Sequence, residues 1–277
     1  MNVDIPDDER RLNLLVAYPY LNADQGELIR EHGDRTRFVL DSGAFTAWRT
    51  GKPVVLDDYC RFIETTKIPI WRYFALDVIG DPDGTRRNLD TMLQRGLKPI
   101  PVFTRGEDPK HLDELYEVSD VVAVGGLVGT KGNKGFVKGI MRHVGDRKVH
   151  WLGFTSPNYV KHFRPFMCDA ANWENASRFG VLRLHMGGGH YKGFQRQTFA
   201  NRPPDEAIRA VRRLGYDPNV LASEKSWRGT WSPLRLLGAA TAIDFVTEVQ
   251  RNVGTLVFLA STMNTALLFH EYDRMYE

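Results

Sequence analysis

The chain has 277 residues, with 37 Lys and Arg against 34 Asp and Glu, a net charge of +3, 42% hydrophobic and 26% charged residues. That composition suits one large globular domain and excludes a disordered or low-complexity chain, while the small basic excess does not by itself establish nucleic-acid binding. Two cysteines far apart, Cys60 and Cys168, exclude a disulfide framework and a zinc cluster, and point to a reducing cytoplasm.

The polar, acidic start over residues 1–11 does not read as a signal peptide. Short apolar runs rich in β-formers then alternate with helical patterns. Strands are predicted at 12–19, 37–40, 73–76, 98–103, 121–124, 149–154, 166–168 and 181–185. Most are apolar almost throughout, as parallel strands covered on both faces are. Between them, Asp57 heads a helix bearing Tyr59, Phe62 and Ile63. Leu89, Met92 and Leu93 mark another that stops at Gly96. Asp108-Pro109 opens a third with Leu112, Leu115 and Tyr116, and Phe136, Ile140 and Val144 continue the series. Strict strand–helix alternation predicts an α/β fold, a (β/α)8 TIM barrel with extra C-terminal helices. No glycine-rich dinucleotide fingerprint follows the first strand, which disfavours an open doubly wound sheet.

Residues 1–277 are expected to form a single barrel domain, with 187–277 a helical part that completes or caps it. Helices are predicted at 206–214, after Pro203-Pro204-Asp205, and from Ser232-Pro233 to Val253. The apolar stretch 255–269 is broken by Ser261, Thr262, Asn264 and Thr265, so it reads as a buried helix rather than a membrane span.

In such barrels the chemistry sits where strands end. Here the second strand ends in Asp41-Ser42-Gly43-Ala44-Phe45, the third in Asp77, the fourth in Thr104-Arg105-Gly106-Glu107, the fifth in Gly125-Gly126-Leu127-Val128-Gly129 and the seventh in Asp169. A single carboxylate after an apolar strand is most simply a helix cap. Three that converge on one mouth indicate a shared catalytic or binding role. The glycines either make a tight turn or bring backbone N–H groups close to a flat ligand. Cys168 points away from Asp169 into the core. His185 and His190 lack a third ligand at standard spacing, so no metal is expected.

These strand-end segments resemble those of the tRNA-guanine transglycosylase superfamily, and most closely the shorter phage and bacterial DNA 7-deazaguanine transglycosylases called DpdA. The family's Asp-Ser-Gly-Gly-Phe/Tyr segment corresponds to Asp41-Ser42-Gly43-Ala44-Phe45. Its base-recognising Asp corresponds to Asp77, its Gly-Gly-Leu to Gly125-Gly126-Leu127, and its nucleophilic Asp to Asp169. Asn172-Trp173 resembles the DNA-acting branch. The resemblance spans about residues 39–180.

It implies a pentosyltransferase that exchanges guanine in DNA for a 7-cyano- or 7-aminomethyl-7-deazaguanine, with no cofactor, in the cytoplasm of a phage-infected bacterial cell. Asp169 would attack the anomeric carbon, and Asp41 would serve as acid and then base. Asp77, Ser42 and backbone at Gly125, Gly126 and Leu127 would read the base. Phe45 would stack on it, with Leu152 or Phe154 closing the other face. Three departures matter. Ala44 replaces a glycine, the family's base-contacting glutamine has no counterpart beyond Arg105 or Glu107, and the zinc module of the tRNA enzymes cannot be built from two cysteines.

The target nucleotide would be flipped out or single-stranded. Lys131, Lys134, Lys138, Arg142, Arg147 and Lys148 form one basic group, and Lys192, Arg196, Arg202, Arg209, Arg212 and Arg213 another. Each is a phosphate track or a solvated helix face. Trp227, Arg228 and Trp231 interleave aromatic and basic character. The same carboxylates would also serve a tRNA-guanine transglycosylase, an N-glycoside hydrolase that releases a base, or a non-catalytic base-binding module.

Overall fold

The computed structural model describes residues 11–127, 133–171, 173–174 and 179–276. Eight parallel strands form one curled sheet: β1 (Leu12–Ala17), β2 (Thr36–Asp41), β3 (Arg72–Tyr73), β4 (Val102–Phe103), β5 (Val121–Val124), β6 (Lys148–Trp151), β7 (Met167–Ala170) and β10 (Leu256–Ala260). Their order is β3-β2-β1-β10-β7-β6-β5-β4. The two edge strands are linked by a single parallel bridge, Phe74 with Ile100. There Ile100 N–H donates to the Tyr73 carbonyl at 2.7 Å and Ala75 N–H donates to the Ile100 carbonyl at 2.9 Å. The sheet is thus a curled, TIM-like half-barrel: its edges approach at this one bridge, outside the strands themselves, and the barrel is not closed.

Period-two alternation divides each strand between two cores. Leu15, Val39, Phe74, Ile100, Val102, Val121, Ala123, Met167 and Phe258 pack together on the inner side. Leu14, Val16, Phe38, Leu40, Val122, Val124, Val149, Trp151, Cys168, Val257 and Leu259 pack outward against helices such as Leu56–Thr65, Pro82–Gln94, Lys110–Val118 and Asn133–Val144. Both faces are buried, which is why these strands read as unbroken apolar runs. Asp41 lies two residues beyond Val39 and Asp169 two beyond Met167. The same alternation therefore turns both carboxylates inward at the C-terminal end of the sheet.

The eighth strand is a correction. Residues 181–185 do not join the sheet. They form β8 (Val181–His185), an antiparallel hairpin with β9 (Tyr191–Gln195), and Leu182 and Leu184 pack on a separate core with Phe194, Phe199, Val211 and Leu237. The eighth place belongs to β10, between β1 and β7. The stretch expected as one buried helix from 255 is thus strand Leu256–Ala260 followed by helix Thr265–Tyr276. The part from residue 187 onward is accordingly not wholly helical. Its helices at Asp205–Arg213 and Pro233–Val253 fall where they are predicted, the latter closed by Gly254 at φ 81°. Among the described residues no helix is long and apolar enough to cross a membrane.

Candidate active site

Asp169 is the most constrained of the three aspartates. Only 7% exposed, it sits on the inner face of β7. Its Oδ1 accepts from His150 Nε2 at 3.0 Å and from Gly153 N–H at 2.8 Å. Its Oδ2 has no hydrogen bond among the described residues. His150 is fully buried on β6, beside the Phe74 ring at 4.8 Å, and its Nδ1 has no hydrogen-bond partner among the described residues. A buried carboxylate with two donors on one oxygen is held in a single orientation, which leaves the other oxygen to act.

Asp41 ends β2, where its Oδ2 accepts from Gly43 N–H at 3.1 Å. Burial, with Asp77 and Asp169 close by, pushes its carboxyl up to about 7. Burial likewise lifts Asp77 to about 6, against the opposing hydrogen bond from Ser42 Oγ to its Oδ1 at 3.2 Å. The main cause in both is burial, which disfavours the ionised form in a low-dielectric setting; at Asp41 the neighbouring carboxylates add to it. Asp41 is therefore partly protonated at neutral pH. Gly43 makes the turn possible. Its φ is 83°, and a Cβ there would lie 2.4 Å from Pro19 Cδ. Ala44 is buried at the start of the following helix, Ala44–Thr50.

The remaining expected residues are distributed unevenly. Ser42 is buried against Asp77. Gly125 N–H is taken by the Phe103 carbonyl at 2.9 Å. Gly126, at φ 70°, abuts Arg105, and its N–H has no acceptor among the described residues. Leu152 packs on the inner core beside Gly125. Phe45 is 61% exposed at the mouth. Two residues lie elsewhere. Leu127, 1% exposed, belongs to the outer core, and Phe154 joins Trp151 and Tyr159 in an aromatic cluster on the helix side. Glu107 accepts from Thr104 N–H and Oγ1 and so is tied to its own turn. Cys168 faces the outer core, where burial pushes its thiol up.

The first basic group divides. Arg147 pairs with Asp113 and Lys148 with Asp120 at the N-terminal end of β6, the side opposite the aspartates. Lys138 and Arg142 are exposed on helix Asn133–Val144. Lys131, the side chain of Lys134, Val128, Gly129 and Asn172 lie outside the described residues. In the second group, Lys192 pairs with Glu206 and Arg213 with Asp244, and Arg196 opens a short helix after β9. Trp227 is anchored by Nε1–H to the Leu221 carbonyl at 2.7 Å, whereas Trp231 is 54% exposed. His185 is 1% exposed and tied by Nδ1 to Asp244 at 2.7 Å, with Glu248 3.7 Å from Nε2. Among the described residues no group of three or more His, Cys, Asp or Glu is arranged to hold a metal.

Sequence reasoning missed His150 and Gly153. A histidine inside the apolar run Val149-His150-Trp151 is the available signal, because a buried imidazole needs a partner. A cleft of about 390 Å³ lies beside this centre, between Gly153, Ser156, Trp173 and the hairpin residues Arg183, His190 and Tyr191. The chain matches no protein-family model, no curated protein and no solved structure.

Proposed function

We propose that the curled sheet is a (β/α)8-type barrel and that the chain is a DNA base-exchange enzyme, a transglycosylase that replaces guanine by a 7-deazaguanine. One observation carries the reading: Asp169, fixed through Oδ1 with Oδ2 unengaged, shares its recess with Asp41, whose carboxyl is pushed up to about 7. A nucleophile held still beside a proton donor is what a double displacement at an anomeric carbon needs. The strand-end resemblance supports the same assignment and supplies the choice of base and of DNA.

In this mechanism Asp169 Oδ2 attacks C1′ of the target nucleotide. A C1′–O ester bond forms as the C1′–N9 bond breaks, and Asp41 gives its proton to the departing guanine. The incoming 7-deazaguanine then loses its N9 proton to Asp41 and attacks C1′, which breaks the ester and restores the Asp169 carboxylate. Asp77 accepts from the N1–H and amino edge of the base, Gly126 N–H donates to its O6, and Phe45 stacks on the ring. DNA and a free 7-deazaguanine are the partners, and the setting is a bacterial cytoplasm.

Incubation of DNA with a labelled 7-deazaguanine, followed by nucleoside analysis, tests this. Label is expected in DNA with the wild type and is expected to vanish with Asp169→Ala. Release of guanine without incorporation would identify an N-glycoside hydrolase instead, and label in tRNA but not in DNA would overturn the substrate.

A further inference from the structure

We infer that helix Ala44–Thr50 and the turn after it form a stacking platform for unpaired bases of the substrate strand, directly beside the carboxylates. The inference rests on the base-exchange reading for its substrate, and on its own geometry for its location. The helix follows Asp41-Ser42-Gly43 without a linker, so it stands at the mouth. Its Phe45 and Trp48 are 61% and 62% exposed, with ring centroids 5.8 Å apart and planes inclined by 35°. Phe45, Trp48 and Arg49 follow i, i+3, i+4 spacing and so share one face. Ala44 is the helix's one buried residue. Two large rings left mostly in water at the end of the sheet where the aspartates lie present flat faces to a ligand.

The charge around them selects the ligand. Residues 42–56 contain no acid. Arg49 and Lys52 are exposed and form no ion pair or hydrogen bond among the described residues. The next acids in the chain are already engaged, Asp57 with Arg95 and Asp58 with Arg61. Flat apolar rings interleaved with unpaired cations fit a polyanion that carries aromatic faces, which is a single strand with its bases turned out. An apolar protein surface would use the rings but not the cations. On this reading Phe45 meets the exchanged base and Trp48 a neighbouring one, while Arg49 and Lys52 meet phosphates. The preferred substrate is a single-stranded or locally opened stretch rather than a closed duplex.

The test is fluorescence-anisotropy binding of labelled oligonucleotides to the full chain, run beside the base-exchange assay. Wild type is expected to bind a 12-nucleotide single strand more tightly than the same sequence as duplex. Trp48→Ala is expected to weaken single-strand binding about tenfold, with Trp48→Phe restoring most of it and Trp48→Leu little. Arg49→Gln with Lys52→Gln is expected to reduce the salt slope of log Kd by roughly 1.4. Trp48 is exposed, so circular dichroism and Tm should be unchanged and loss of fold is separable from loss of contact. Unchanged binding in Trp48→Ala, equal rescue by Leu and Phe, or tighter binding of duplex would overturn the platform. Oligonucleotide binding with these dependences but no base exchange would sink the catalytic reading and leave the platform standing. Base exchange that is indifferent to Trp48 would do the reverse.

Discussion

At the scale of single residues, Asp41 and His150 make the sharpest claims. Asp41 ionises about 7 instead of near 3.8, so the folded state binds its proton more tightly than the unfolded chain does. Stability is therefore fullest below about 4 and declines as pH rises towards 7. Asp41→Asn carries no charge at any pH and removes that decline. Its Tm is expected to exceed wild type by roughly 2–4 °C at pH 8 and to match it near pH 4 in a pH series of thermal melts. The same substitution is expected to cost roughly 10²–10⁴-fold in guanine release, because no proton is available to the leaving base. In wild type, single-turnover guanine release is expected to fall as pH rises through about 7. In the proposed mechanism His150 is a positioning residue, which holds Asp169 through Oδ1 and does not touch substrate. His150→Ala removes one of the two donors to Oδ1 and is expected to slow formation of the glycosyl-enzyme roughly tenfold to a hundredfold. His150→Gln can present an N–H to the same oxygen and should recover most of the rate with KM for DNA unchanged. A purely packing role would be rescued by Leu instead.

At the scale of elements, seven of the eight sheet strands were legible because burial on both faces leaves an unbroken apolar run. The eighth was not, for a physical reason. Val181-Leu182-Arg183-Leu184 is apolar enough to resemble a core strand, yet Val181 and Arg183 are half-exposed while Leu182 and Leu184 are buried. That alternation belongs to a hairpin with one wet face, and Gly187, Gly188 and Gly189, all at positive φ, make its turn. The true strand, Leu256–Ala260, is separated from the next helix by only four residues. Polar side chains there look like a helix interruption but are a strand-end loop, in which Ser261 Oγ and Thr262 N–H and Oγ1 all donate to buried Glu174. Asp41, Asp77 and Asp169 could be read from strand ends. Their orienting partners could not, since His150 reaches Asp169 across 19 residues of chain. Phe258, fully buried in the inner core, provides a check on the reassigned strand. Phe258→Ala is expected to lower unfolding free energy by about 3–5 kcal/mol in urea titration; a loss under about 1 kcal/mol would place it outside the core.

At the scale of the whole molecule, the sheet order makes the last strand a keystone. β10 is inserted between β1 and β7, so residues 12–17 pair on one side with 36–41 and on the other with 256–260. A chain emerging from the ribosome can assemble β1 to β3 and β4 to β7 early. It cannot join the two halves through β10 until residues 256–260 have been made. Contacts that bridge more than 240 residues raise the contact order and slow the search. Until β10 arrives, the open flanks of β1 and β7 present unpaired backbone to any other strand. Synthesis is thus expected to pass through a period in which a long nascent chain depends on shielding, and the aggregation-prone interval lasts until residues 256–260 have left the ribosome and filled the gap.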